Sequence, residues 1–459
     1  MSQADKNSSG KSGPSRRGFF KAAAAAAVAV GMGGASKAVR ADEIPTPKAD
    51  TTKFIGGKFP TGPVQATGRV IGANDRILCA VIGVGGQGFG AHVKTLKAKA
   101  AEINIEQIAA CDVYQPRNER AAKEIQVEGR PTPMTNKDYR KLLENKDIDA
   151  VWVATPEHWH AQISCHAMEA GKHVYVEKPM TRYLDEAFQM VDCQKRTGKV
   201  VQLGIQYTSN QKWHDIGAAV RAGKIGPLVS GQGSYCRNAG KGGEWNYGID
   251  NSAGPENLDW DMWLGSAPKR PWNDDAKARF FRYRKYWDYS AGILGDLMPH
   301  KLGPFLIASG TPEYPTRVCS LGTRKISLDR EVDDTVEVMA EFPSGWTMLF
   351  TGSTVNEQGL PDMLRGHKGT VQMGGGGAKI SPERPYAEEV EGGEVAKDSG
   401  GGIGDHHKNF IEAIRTGKKP NCDVELGAKI QTILALAEIS SRTNRMCVFD
   451  EKTREIKAG

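Results

Sequence analysis

From Arg76 onward, apolar runs alternate with amphipathic ones. In RILCAVIGV the residues Ile77, Val81, Ile82 and Val84 put apolar side chains on both faces, as a strand inside a covered parallel sheet requires. FGAHVKTLKAKA after it has helical spacing, and IEQIAACDVY is the next apolar run. Residues 148–154 (IDAVWVA) and 172–176 (KHVYV) repeat the strand pattern. QISCHAMEA and LDEAFQMVDCQKRTG repeat the helical one, and KVVQLGIQY closes the series as a strand. Alternating strand and helix over 76–208 predicts a doubly wound parallel sheet, the Rossmann arrangement of an α/β domain.

The character changes near residue 209. Trp213 to Arg221 reads as a helix and GPLVSGQGSYCRN as a strand. RVCSLGT, DDTVEVMAEF, WTMLFTGS and GTVQMGG alternate with period two, as consecutive strands of an antiparallel sheet do. Residues 380–404, rich in Gly and Glu, read as a mobile loop, and 406–416 and 427–441 as helices. This gives an α+β domain over 209–404 followed by closing helices over 405–459. Between them, 240–289 is long and poorly periodic, and it holds Trp245, Trp260, Trp263, Trp272 and Trp287. Such rings suit a sugar-stacking platform; packing beneath a long loop is the plainer reading.

The charge sits at one end. Residues 1–41 carry Lys6, Lys11, Arg16, Arg17, Lys21, Lys37 and Arg40 against Asp5 alone, a net of +6 out of a total of +7. The remainder is nearly neutral, with no basic stripe interleaved with aromatics, which argues against nucleic acid as a partner. Ser15-Arg16-Arg17-Gly18-Phe19-Phe20-Lys21 before an alanine-rich run resembles a bacterial twin-arginine (Tat) signal, with cleavage after Ala41. That resemblance implies the Tat machinery as a partner and a periplasmic or otherwise exported protein. No run beyond it is long and charge-free enough to span a membrane. Residues 42–75, rich in Pro, Gly, Thr and Lys, read as an arm or linker. Eight scattered cysteines without a CxxC read as buried free thiols.

Candidate chemistry begins at the first strand end. Gly83 permits a tight turn, Gly85 lets backbone approach a pyrophosphate, and Gly88 lets helix pack on strand. The helix N-terminus then offers N–H groups and partial positive charge to the phosphates. Asp112, ending the second strand, is placed to accept bonds from the adenosine ribose, which favours NAD over NADP. Thr155, Lys178 and Gln206 lie at further strand ends, so they join Gly85 and Asp112 around one crevice.

GVGGQG, CDVY, ATPEHWH, VYVEKP and QLGIQY together resemble the Gfo/Idh/MocA (glucose–fructose oxidoreductase) family. The resemblance implies a C-terminal domain whose large, open, mostly antiparallel sheet carries substrate and often subunit contacts, hence a homo-oligomer, dimer or tetramer. It implies that Lys178 of the EKP motif works beside the nicotinamide as acid/base or hydrogen-bond donor. Gln87, Pro156, His158, His160 and Glu177 join Gly83, Gly88 and Thr155 as cofactor contacts. SAGILGDLMPH resembles the family's glycine-rich turn and DxxxH helix, making His300 a second acid/base and Asp296 its orienter or a grip on a sugar hydroxyl. The pattern then breaks: Lys301 follows, and Gly303 stands where many relatives have an aspartate. Tyr207, Asn210, Arg237, Asn238 and Trp287 are candidate substrate contacts. HxH at His158 and His160 is too weak a signal for a metal site.

The expectation is an exported NAD-dependent oxidoreductase acting on a sugar or sugar derivative. Free NAD is not expected outside the cytoplasm, so the cofactor would be captive and restored in each cycle. The alternatives are an NAD-dependent glycosidase or lyase that oxidises sugar C3 transiently, and a non-catalytic nucleotide-bound sensor.

Overall fold

The structure is a computed structural model that describes residues 56, 72, 75–240 and 243–458. The twin-arginine segment and most of the arm lie outside the described residues. All the described residues belong to one compact unit.

Strands β1 (Ile77–Ile82), β2 (Ile105–Cys111), β3 (Met134–Asn136), β4 (Ala150–Val153), β5 (His173–Val176) and β6 (Val201–Leu203) form a parallel sheet in the order β3-β2-β1-β4-β5-β6. Helices α1 (Lys94–Ile103), α2 (Gln115–Ile125), α3 (Tyr139–Leu143), α4 (His160–Glu169) and α5 (Leu184–Thr197) connect them. β4 is buried along its whole length and β1 nearly so, which explains their uninterrupted apolar sequences. Strand order reverses between β1 and β4, so a crevice opens at their carboxyl ends, where such sheets bind ligands.

α6 (Gln211–Arg221) leads into the second sheet. It contains β7 (Leu228–Asn238), β8 (Arg317–Thr323), β9 (Thr335–Glu341), β10 (Thr347–Ser353), β11 (Val355–Asn356), β12 (Met363–Gly366), β13 (Gly369–Gly374), β14 (Gly377–Pro382), β15 (Gly393–Lys397), β16 (Cys447–Asp450) and β17 (Glu455–Ala458). The order is β15-β14-β13-β12-β7-β10-β9-β8-β16-β17, with β11 on β7; only β7 and β10 run parallel. One face packs on a core and the other is open, hence the period-two burial along β8, β9 and β10.

The 240–289 segment folds over the first sheet through α7 (Trp260–Leu264) and α8 (Asp274–Phe281). Trp260, Trp263, Phe280 and Tyr289 bury together against Tyr114, so these rings are packing. α9 (Ile293–Asp296) and α10 (Pro299–Ala308) follow; α11 (Ile403–Thr416) and α12 (Val424–Thr443) close the chain back on the nucleotide half. Three expectations need correction. Residues 380–404 are no loop, since β14 ends there and β15 lies within it. β6 stops at Leu203, so Gln206 opens a short 3-10 turn past the strand end. Cys319 is exposed and Cys236 half-buried, although the other six thiols are buried.

Candidate functional site

A cavity of about 760 Å³ lies at the carboxyl ends of β1, β2, β4 and β5. Gly83 has φ +86°, and a Cβ there would sit 2.7 Å from the Ala154 carbonyl. A Cβ on Gly88 would sit 1.8 Å from the Gly83 oxygen, so only glycine lets this helix approach β1 so closely. Beyond Gly88 the first turn, Gly88–Val93, is π-type before α1 begins.

Asp112 is almost wholly buried in the cavity wall and accepts bonds from the backbone N–H groups of Val84 and Tyr114, both at 3.0 Å. Burial raises its carboxyl, against the opposing pull of Arg117 and those two N–H groups. Two of a carboxylate's roughly four acceptor positions are therefore used, leaving the others for ribose hydroxyls. Arg117 stands 3.7 Å from Asp112 and lies over the Phe280 ring; Arg120 caps the Val84 carbonyl at 2.8 Å. Thr155 lines the cavity with its Oγ1 buried and without a partner among the described residues. An open glycine backbone, a carboxylate with spare acceptor sites and an orphaned hydroxyl fit a dinucleotide.

At the inner end, Lys178 meets Asp296. Its Nζ lies 2.6 Å from Asp296 Oδ1 and donates to the Asp296 carbonyl at 2.7 Å. Arg284 Nε donates to the same Oδ1 at 2.8 Å, and Trp245 Nε1 to Oδ2 at 2.8 Å. Burial alone would raise the Asp296 carboxyl, but Arg284 and Lys178 hold it well below the usual carboxylate range. With its oxygens taken up by three side chains, Asp296 is a counter-ion that fixes Lys178, not a free grip for a sugar hydroxyl.

His300 opens α10, its ring between those of Tyr207 and Tyr235. Burial, then the Lys178 charge, push its imidazole down to about 3. It is neutral at ordinary pH, with a buried Nδ1 that has no partner among the described residues. That makes it a poor proton donor but a ready hydrogen-bonding group. Glu177 faces His92 at 2.9 Å and accepts from Gln87 at 3.0 Å; burial raises its carboxyl, yet these neighbours and Lys178 hold it low.

Gly83, Gly85, Gln87, Asp112, Thr155, Pro156, Glu177 and Lys178 all line the cavity. Several other candidates are committed elsewhere. His158 faces the Trp263 carbonyl at 2.9 Å, and burial pushes its imidazole down to about 4. His160 places its ring nitrogens 2.8 Å from the Pro179 and Thr155 carbonyls, and its neutral form, favoured by burial, donates its one N–H to one of them, so it sits between the two loops without lining the cavity. Asn210 caps α6 and holds Asp398. Arg237 pairs with Glu244 at 2.8 Å, Asn238 bonds the β11 backbone, and Trp287 donates to the Glu331 carbonyl beneath Arg442. Gln206 and Tyr207 lie outside the cavity wall. Gly303 packs on Ile205, Thr208 and Ile430, where a Cβ would sit 3.0 Å from the Ile205 side chain and an aspartate would meet apolar neighbours.

Sequence reasoning missed Arg284, Tyr247 and Glu157. Arg284 and Tyr247 come from the insertion and line the cavity. Glu157 accepts from the Ser290 hydroxyl and the Ala291 N–H, and burial pushes it up to about 7. Arg284 and Tyr247 sit in no motif, and the signal for Arg284 was its closeness to SAGILGD; Glu157 lies inside ATPEHWH, but its partners at Ser290 and Ala291 are far away in the chain.

Fold and cleft define a dinucleotide-binding oxidoreductase architecture. Residues 77–205 match the oxidoreductase-family model with an NAD-binding Rossmann fold, and 241–374 match that family's C-terminal alpha/beta domain. The chain belongs to the Gfo/Idh/MocA oxidoreductase family, and its cofactor is NAD. A glycosyl hydrolase family 109 protein of Shewanella baltica (strain OS185) is 32% identical over 224 residues, 48% of this chain and 45% of that relative. The chain thus spans about half the length of the curated relatives it matches. An oxidoreductase domain protein from Kribbella flavida superposes with TM-score 0.61 at 21% identity, over 82% of this chain and 100% of that one. Levoglucosan dehydrogenase in complex with NADH and levoglucosan gives TM-score 0.60 at 19% identity, over 81% and 99%.

Proposed function

We propose that this protein is an exported, NAD-dependent oxidoreductase acting on a hydroxyl of a sugar or sugar derivative. The observation that carries the reading is Lys178: an ammonium at the wall of the dinucleotide cavity, held by a counter-ion from the other half of the chain. NAD, when bound, exchanges a hydride with the hydroxyl-bearing carbon. Lys178 orients that hydroxyl and relays its proton, while Asp296 fixes the ammonium. His300, neutral, bonds a neighbouring hydroxyl. The glycine turn, Asp112 and Thr155 hold the cofactor's phosphates and ribose. The twin-arginine segment supports export, and export supports a captive cofactor.

A second reading is redox-neutral cleavage of a glycoside, favoured by the family 109 relatives. With the C3 hydride held on the cofactor, the C3 ketone acidifies the C2 proton and the C1 substituent leaves by elimination; water would then add at C1 as C2 is reprotonated, and the hydride returns to C3. Mass spectrometry of untreated, folded protein for bound nucleotide, followed by a carbohydrate and glycoside screen, tests both. Cleavage without net NADH supports the second reading; accumulation of reduced cofactor and an oxidised sugar supports the first. Absence of nucleotide and of all turnover refutes both.

The open sheet face supports a homo-oligomer. Cys319, Met339 and Leu349 are cross-strand neighbours on it, with Met339 56% exposed and Leu321 nearby 68% exposed. Sedimentation as a monomer at micromolar concentration refutes this.

A further inference from the structure

The inner end of the cavity carries a cation that the oxidoreductase reading leaves unused. Arg284 projects from the insertion with its side chain 17% exposed, and it lines the cavity together with Lys178, Tyr247 and Tyr283. Its Nε is spent on Asp296 and its plane lies over the Tyr283 ring, 4.6 Å from the centroid. Its two Nη groups have no acceptor among the described residues. Asp296 is already shared with Lys178 and Trp245. Glu177, beside Lys178, is taken up by His92, Gln87 and the Lys178 N–H. Glu157 accepts from Ser290 and Ala291.

A largely buried guanidinium with a free two-pronged edge is costly unless something meets it. Its planar fork matches a carboxylate, which it binds through two parallel charge-assisted bonds. Tyr283 beneath it and Asp296 at Nε prevent it from swinging away, so the fork is preset before any ligand arrives. We propose that Arg284 is the specificity-determining residue for an acidic sugar, a uronic acid or its glycoside, whose carboxylate it grips while Lys178 holds a ring hydroxyl. The proposal rests on the oxidoreductase reading and narrows it to one substrate class.

The test is equilibrium binding to the purified holoprotein of methyl glycosides of glucuronate, galacturonate and mannuronate, each beside its neutral hexoside, with bound-cofactor absorbance followed in parallel. At least one acid is expected to bind tenfold or more tighter than its neutral partner, with the preference shrinking as salt rises. Arg284→Gln is expected to erase that preference and Arg284→Lys to keep part of it; thermal unfolding reports whether each variant is folded. If Arg284→Gln does not fold, the Lys variant and the wild-type comparison still decide. Equal affinity for acid and neutral partners, no binding by any of them, or a preference that survives in Arg284→Gln overturns the proposal. Hydride transfer to or from neutral sugars alone leaves the oxidoreductase reading standing and removes this one. Selective uronate binding with an inert cofactor does the reverse.

Discussion

The Lys178–Asp296 pair predicts a marked asymmetry between its two partners. Asp296→Asn removes the one carboxylate among the described residues that touches Lys178 and Arg284 together. Two buried cations then face each other, and the new amide presents an N–H where one of three donors now points. Breaking a buried pair this way costs about 3–5 kcal/mol. Lys178→Met is different, because Asp296 keeps Arg284 and Trp245. The loss is then of the two bonds that the ammonium donates to Asp296, offset by the several kcal/mol of desolvation that a buried cation no longer costs, which leaves about 1.5–3 kcal/mol. Unfolding entropy of about 2.1 cal/mol/K per residue over roughly 400 residues converts these into a Tm drop of about 4–6 °C for Asp296→Asn and about 2–4 °C for Lys178→Met. Differential scanning calorimetry at neutral pH, with urea titration as a check, measures both. The double variant should cost less than the sum of the two, since the cation that made the first loss expensive is gone. Lys178→Met should retain bound NAD while losing turnover. A Lys178→Met variant as destabilised as Asp296→Asn, or strictly additive losses, would refute the counter-ion role.

Other expectations follow from local geometry. Gly88→Ala should abolish co-purifying nucleotide, read by mass spectrometry, because a methyl group cannot share the space of the Gly83 oxygen. His158 and His406 are both pushed down to about 4 by burial, so the folded state favours their neutral forms. The stability this contributes is complete above pH 6.5 and is lost as pH falls towards 4, at about 3 kcal/mol for each group; calorimetry across that window should show Tm falling steeply, and a flat profile would contradict it. Gly303→Asp should lower stability by more than about 2 kcal/mol in denaturant titration, since the carboxylate would be buried against Ile205, Thr208 and Ile430.

The nucleotide half was legible because its signals are local. Buried parallel strands are apolar throughout, and glycines mark places where a Cβ has no room, so β1, Gly83, Gly88 and Asp112 can be read in a single window of sequence. The inner end of the site was legible only in part. Lys178, Asp296 and His300 announced themselves by motif, but the bonds that decide what they do come from Trp245 and Arg284, far away in an aperiodic stretch. The same distance hid the fates of His158, His160 and Asn210. Each is a polar residue beside a strand end, and what separates contact from bracing is whether a distant backbone group, such as the Trp263 carbonyl, has already claimed it. The tryptophan-rich insertion offered no period because its rings pack on one another and on Tyr114, not along one helix face.

These distant bonds share a feature that bears on how the cofactor is kept. Several polar groups in and behind the cavity wall are tied to a residue from the other half of the chain. Lys178 holds Asp296, Glu157 holds Ser290 and Ala291, and His92 meets His407 at 3.0 Å. Arg182 of the nucleotide half makes a two-pronged bond to Glu438 of α12, and both side chains are buried. The Arg117 guanidinium lies over the Phe280 ring of α8. A hinge that opened the cleft would break several of these at once, and a buried pair severed in this way costs several kcal/mol. The halves are therefore locked around the crevice, and exchange of a dinucleotide through such a rim should be slow compared with exchange of a small sugar. A captive NAD needs that difference in rates, so a dissociation half-time for NAD far longer than one catalytic turnover is the kinetic signature to seek. NAD that leaves a diluted sample within a turnover would show that these ties do not retain it.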